Sequence, residues 1–129
     1  MQKADETRVA AVTGAAQGIG RRVAEVLAER GFRVALTDLH TPHHTLESIQ
    51  ARGGEAVAHT GDIVDESTID GFVRTTYATW GRTDVLVNNA GISLIAAAGN
   101  TPPADLRRVI EVQPGSSVLA GPGLWTKDA

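Results

Sequence analysis

Thr13-Gly14-Ala15-Ala16-Gln17-Gly18-Ile19-Gly20 joins two stretches of opposite character. Before it, Val9-Ala10-Ala11-Val12 is short and continuously apolar, the pattern of a strand buried on both faces. After it, Ile19, Val23, Val26 and Leu27 recur at helical spacing, with Arg21, Arg22, Glu25, Glu29 and Arg30 between them and Gly31 as the stop. A phosphate needs backbone N–H groups aimed at it and no Cβ in the way. Glycines in a strand-to-helix turn meet both demands, and the helix N-terminus adds a favourable dipole. A glycine turn that merely reverses the chain is the plain alternative. Its place between a strand and a helix favours a pyrophosphate site.

Working outward, residues 33–37 form a second apolar run (Val34, Ala35, Leu36) ending at Asp38. Residues 41–52 carry Leu46 and Ile49 on one face and stop at Gly53-Gly54, which predicts a second helix with Pro42 in its first turn. Ala56-Val57-Ala58 is a third strand leading into Gly61-Asp62. Residues 65–80 predict a third helix, with Ile69, Phe72, Val73 and Thr76 on one face, Asp65 or Ser67 as cap and Gly81 as stop. Val85-Leu86-Val87 is a fourth strand ending at Asn88-Asn89-Ala90-Gly91, and a fourth helix follows Pro102-Pro103 through Leu106, Val109 and Ile110. Strand and helix thus alternate in units of about 25 to 30 residues, as in right-handed βαβ crossovers on a parallel sheet. The fold class is α/β, a Rossmann-like doubly wound parallel sheet cut to about four strands in the order 3-2-1-4.

Asp38 lies about 20 residues beyond the glycines, where the dinucleotide fingerprint places an acid on the adenosine ribose. Its carboxylate can accept from both ribose hydroxyls, and its charge repels a 2′-phosphate. NAD is therefore the expected cofactor and NADP the less favoured one. The same acid would also serve as a plain helix cap, and Arg21 or Arg22 pulls toward the phosphorylated cofactor.

The spacing Gly14-x-x-x-Gly18-x-Gly20, together with Asn88-Asn89-Ala90-Gly91, resembles the short-chain dehydrogenase/reductase family rather than the Gly-x-Gly-x-x-Gly fingerprint. Gly61-Asp62-Ile63 matches that family's acidic residue near the adenine ring. The resemblance runs from about Arg8 to Val112. It implies an NAD(P)-dependent oxidoreductase passing hydride between an alcohol or ketone and the nicotinamide. The cofactor contacts it implies are Gly14, Gln17, Gly18, Ile19, Gly20, Asp38, Leu39, Asp62, Ile63, Asn89, Ala90 and Gly91.

The family's acid/base is a tyrosine with a lysine four residues later, because an unassisted phenol, pKa about 10, is a poor base near neutrality. Here the one tyrosine is Tyr77, position 81 is glycine, and Tyr77 precedes Asn88-Asn89-Ala90-Gly91 where the family's tyrosine follows it. The lysines, Lys3 and Lys127, sit at the two ends, and Ser93 follows the fourth strand where the family's serine follows a fifth. No catalytic residue is assigned. Gln113-Pro114 also stands where the family has Asn-Leu in its fourth helix, and proline breaks that helix. The sequence therefore divides into a partial dinucleotide-binding domain, residues 1–112, and an irregular tail, residues 113–129. A one-base frameshift accounts for so abrupt a change. Codons permitted from Gln113 onward, read one nucleotide later, spell Asn-Leu-Gly-Ala-Ala-Phe-Trp-Leu-Ala-Arg-Ala-Cys-Gly-Arg-Arg-Met, an amphipathic continuation.

Composition narrows the remaining classes. The 129 residues carry a formal charge of −3 and no cysteine. The charge gives no reason to expect nucleic acid, and the missing cysteine excludes disulfides and thiolate sites. No run reaches the roughly 20 apolar residues of a membrane span, so the expectation is a soluble cytoplasmic protein. His40, His43 and His44 fall in a polar loop without convergent geometry and are read as solvated, with no metal site. His59 has no evident role, Phe72 and Trp80 are core, and residues 94–98 form a short helix or a pocket-facing loop. A sheet lacking its fifth strand would leave the fourth with an unpaired edge, which predicts self-association. Three functions follow: an inactive truncated dehydrogenase, a module that binds NAD or adenosine without chemistry, and a subunit completed by a second polypeptide.

Overall fold

The computed structural model describes residues 6–89 and the backbone of the strand Ser93–Ala96. Its elements follow in the order β1 (Val9–Thr13), α1 (Gly18–Glu29), β2 (Arg33–Asp38), α2 (His43–Ala51), β3 (Ala56–Thr60), α3 (Glu66–Trp80), β4 (Val85–Asn88) and β5 (Ser93–Ala96). They build one sheet in the order β3-β2-β1-β4-β5. The first four strands are parallel, so the predicted order 3-2-1-4 stands.

Side chains alternate across this sheet because the strand repeat is two residues. Val12, Val34, Leu36 and Val87 point to one face and pack with Ala15, Ala24 and Ile49 from the α1–α2 side. Ala11, Ala35 and Leu86 point to the other and pack with Ile69, Phe72 and Val73 of α3. Both faces being covered explains why the strands read as unbroken apolar runs. Phe72 is fully buried, and Trp80 and Tyr77 pack against its cluster from the edge, so Tyr77 is a packing residue here.

The foot of the sheet is tied by a buried carboxylate. Asp84 Oδ2 accepts from the Val9 N–H at 2.8 Å, and Asp84 N–H donates back to the Val9 carbonyl at 2.8 Å. Arg82 neutralises that charge with two bonds, 2.9 Å from Nε and 2.6 Å from Nη2. The pairing fixes the register of β1 against β4, and so aligns the opposite ends of those strands, where the turns converge.

Four expectations are corrected. α2 begins at His43 rather than 41, because proline disfavours the helical region for the residue before it; Pro42 takes the N-cap place, and its carbonyl accepts from Leu46 N–H at 3.0 Å. Asp65 stands at the N-cap of α3, yet neither it nor Ser67 caps through its side chain; the Asp65 backbone carbonyl takes the first N–H bonds instead. Residues 94–98 were expected as helix or loop, whereas Ser93–Ala96 is a strand. That strand pairs antiparallel with β4, Asn88 opposite Ser93 and Val85 opposite Ala96, so the edge of β4 is not unpaired. Its backbone groups find partners in the chain that follows, so among the described residues the sheet edge on this side is β5 rather than β4. The predicted fourth helix and the tail, residues 113–129, lie outside the described residues.

Candidate dinucleotide site

The C-terminal ends of β1, β2, β3 and β4 converge on the glycine turn, residues 14–20, the position where open α/β sheets place ligands. Gly14 and Gly18 both have positive φ, +65° and +62°. Among the described residues nothing lies within 4 Å of where a Cβ would stand on Gly18, and Gln17, Gly18 and Ile19 are exposed. α1 starts here with no acidic residue in its first turn and no side-chain cap among the described residues, so its positive dipole end is not offset by a carboxylate of its own first turn. Gly20 plays a different part. A Cβ there would strike the Gly14 carbonyl oxygen and stand 2.8 Å from Asn89 Nδ2.

Asn89 explains that crowding. Its Nδ2 donates to the Gly14 carbonyl at 3.3 Å, and its backbone N–H donates to Thr13 Oγ1 at 2.9 Å. Thr13 Oγ1 donates in turn to the buried Asn88 Oδ1 at 2.9 Å. The end of β4 is thereby bolted to the start of the glycine turn, and two sequence motifs 75 residues apart become one structure.

The β2 end is tied in as closely. Asp38 Oδ2 accepts from Ala16 N–H at 2.8 Å, and Oδ1 accepts from its neighbour Leu39 N–H at 2.6 Å. An ionised carboxylate has about four lone-pair sites, so these two bonds leave acceptor capacity for a ribose. Gly61 N–H donates to the Asp38 carbonyl at 2.9 Å, bringing the β3 turn alongside. There Asp62 Oδ1 accepts from Val64 N–H at 3.1 Å.

These ties leave a cavity of about 150 Å³ lined by Thr13, Gly14, Thr37, Asp38, Leu39, Gly61, Asp62 and Ile63. Five of the twelve predicted contacts therefore share one cleft: Gly14, Asp38, Leu39, Asp62 and Ile63. Gln17, Gly18, Ile19 and Gly20 continue from it along the turn, and Asn89 is tied to the turn at Gly14. Ala90 and Gly91 lie outside the described residues. Two features suit a polar ligand. Gly18 keeps a backbone approach clear, and the Thr37 hydroxyl, on a residue 1% exposed at the cavity wall, has no hydrogen-bond partner among the described residues.

Thr13, Thr37 and Thr45 were missed in the sequence. Thr45 is fully buried and donates from Oγ1 to the Ala15 carbonyl at 2.7 Å. The available sign was a hydroxyl residue four before Ile49, hence on the apolar face of the second helix. His40, His43 and His44 join no cluster able to hold a metal among the described residues, and the ring of His59 packs over Gly71 of α3.

A parallel α/β sheet with a glycine turn at its carboxyl end, an acid closing β2 and an asparagine locking β4 defines a Rossmann-type dinucleotide fold. The chain belongs to the short chain dehydrogenase family, whose model matches residues 8–120. It is 36% identical over 124 residues to an uncharacterized oxidoreductase of Thermotoga maritima, covering 95% of this chain and 47% of that protein. It is 33% identical to a CLA biosynthesis dehydrogenase/reductase of Lactiplantibacillus plantarum, covering 88% of this chain and 40% of that one. Among solved structures it resembles a metagenomic short-chain oxidoreductase in complex with NADP, at 42% identity and a TM-score of 0.61, over 66% of this chain and 39% of that one. The chain thus spans under half the length of these relatives. Among the described residues, no helix is long and apolar enough to cross a membrane.

Proposed function

We propose that this chain is the dinucleotide-holding half of a short-chain oxidoreductase, binding NAD in preference to NADP. The carrying observation is the shared cleft of Gly14, Asp38, Leu39, Asp62 and Ile63 beside the exposed start of α1. In this reading the diphosphate lies against Gln17, Gly18, Ile19 and Gly20, and the ribose hydroxyls donate to the Asp38 carboxylate. The adenine sits between Leu39 and the Asp62–Ile63 wall, and Asn89, Ala90 and Gly91 are the contacts expected nearer the nicotinamide. NAD, when bound, supplies the hydride acceptor for an alcohol or, reduced, the donor for a ketone.

The 129 residues contain no Tyr-x-x-x-Lys, the one tyrosine being a packing residue. That observation supports binding without turnover by this chain alone: an NAD- or adenosine-binding module, or a subunit whose acid/base half comes from a second polypeptide. The absence of cysteine supports a cytoplasmic setting.

Calorimetric titration of the chain with NAD and with NADP tests the reading. NAD should bind more tightly, and Asp38→Ala should erase the preference by weakening NAD about 10- to 100-fold, the worth of hydrogen bonds to a charged acceptor. An unaltered chain that binds neither dinucleotide overturns the proposal. Retained preference in Asp38→Ala overturns the assignment of the ribose.

A further inference from the structure

One peptide unit of the glycine turn is held at both ends by side chains from different elements. Its carbonyl, from Ala15, accepts the Thr45 hydroxyl of α2 at 2.7 Å. Its N–H, from Ala16, donates to Asp38 Oδ2 at the end of β2 at 2.8 Å. The residue on its near side cannot shift, because Ala15 is fully buried in the α1–α2 core and its own N–H donates to the Thr37 carbonyl at 3.2 Å. The remaining freedom is rotation of the peptide plane about its flanking bonds, and the two side chains remove it.

We infer that Thr45 is a positioning residue for diphosphate binding, acting with Asp38 as a clamp on the Ala15–Ala16 peptide. This rests on the dinucleotide reading above. The clamp turns the Ala15 carbonyl toward α2. A peptide free to rotate can turn that carbonyl, with its partial negative charge, toward the mouth of the turn, where it would repel a diphosphate beside the leading N–H groups of α1. Asp38 consequently has two tasks, accepting the ribose hydroxyls and fixing the diphosphate turn. Replacing it with a neutral residue removes the barrier to a 2′-phosphate but also frees Ala16, so recognition of the ribose and of the diphosphate are coupled through one carboxylate.

Thr45 suits a clean test, since valine has its shape without the hydroxyl. Thr45→Val, Thr45→Ser and the unaltered 129-residue chain are compared for binding of ADP, of adenosine and of NAD. The clamp predicts that Thr45→Val binds ADP and NAD about tenfold more weakly, the loss of one hydrogen bond that orders the turn. Adenosine, which has no diphosphate, should bind Thr45→Val as it binds the unaltered chain, and Thr45→Ser should restore ADP affinity to within about twofold. Equal loss for adenosine and ADP means general loosening and overturns the inference, as does Thr45→Val binding ADP like the unaltered chain. Amide hydrogen exchange gives a readout that needs no ligand: Thr45→Val should speed exchange at Ala16 N–H well before the chain unfolds globally. Should the unaltered chain bind no nucleotide, the dinucleotide reading fails by itself, and an unchanged exchange rate at Ala16 would then sink the clamp separately.

Discussion

Of two hollows, one between α1 and α2 and one above the strand ends, the larger is not the better candidate for a ligand. A groove of about 300 Å³ runs between α1 and α2, lined by Glu25, Glu29, Ser48, Ile49 and Arg52 among others, twice the volume of the cleft above the strand ends. Its polar groups are spent on one another. Ser48 donates to Glu25 at 2.7 Å, Arg52 to Glu29 at 2.6 Å and Arg21 to Glu25 at 3.2 Å, while Arg22 lies 3.5 Å and 3.6 Å from the two glutamates. The smaller cleft is the reverse: among the described residues it has a threonine hydroxyl without a partner, a helix start without a side-chain cap and a glycine open to approach. A groove whose charges are mutually satisfied stabilises a helix pair. A cleft whose bonds are incomplete is one a ligand can complete.

Two glycines of the turn sharpen this contrast from within. Gly20→Ala should have the largest effect, because the added Cβ meets the Gly14 carbonyl, which is backbone and cannot swing aside. Overpacking of this kind typically costs about 3 kcal/mol, read as a lower midpoint in chemical denaturation and accompanied by loss of NAD binding. Gly18→Ala should cost less, about 1 kcal/mol, since it meets no atom of the described residues and carries the penalty of positive φ for a residue with a side chain. Its effect on NAD should nonetheless be as severe, because the methyl group occupies the approach to the turn. Full NAD affinity in Gly18→Ala would break the claim that this face is the ligand's.

Much of this was legible in the chain, and the exceptions share a cause. The strands were visible because both sheet faces are covered, so Val9–Thr13 and Val85–Asn88 could be read without periodicity. Gly14, Asp38 and Asp62 were visible because each ends or closely follows a strand, and parallel topology sends all those strand ends to one edge. Thr37 and Thr45 were not, since each matters through a group remote in sequence or through a missing bond. Thr45 reaches a carbonyl 30 residues away. The failure of Asp65 to cap, and the start of α2 at His43 instead of 41, are local geometry that composition does not fix. β5 was missed because Ser93–Ala96 contains nothing that distinguishes an edge strand from a short helix until β4 is there to pair with it.

The smallest predicted effect tests the groove's half of the comparison. Glu25 has a pKa lowered from the ordinary glutamate value, first by the Ser48 hydroxyl and then by Arg21 and Arg22, against an opposing push from burial. A carboxyl group whose pKa is lower in the folded chain than in the unfolded one stabilises the fold above its unfolded pKa. That stabilisation disappears as pH falls through the folded value. Glu25→Gln should therefore be less stable than the unaltered chain near neutrality, by about 0.5 kcal/mol given partly screened partners, and the difference should vanish at acid pH. Ser48→Ala should remove the largest single share of that pH dependence. Denaturation midpoints measured from neutral to acid pH check both. Neither substitution should alter NAD affinity at neutral pH, because the groove's network is closed upon itself and includes neither Thr45 nor Asp38, the side chains that hold the glycine turn. A loss of NAD binding in Glu25→Gln at an unchanged midpoint would mean that the two hollows communicate, and the division between a stabilising groove and a binding cleft would no longer hold.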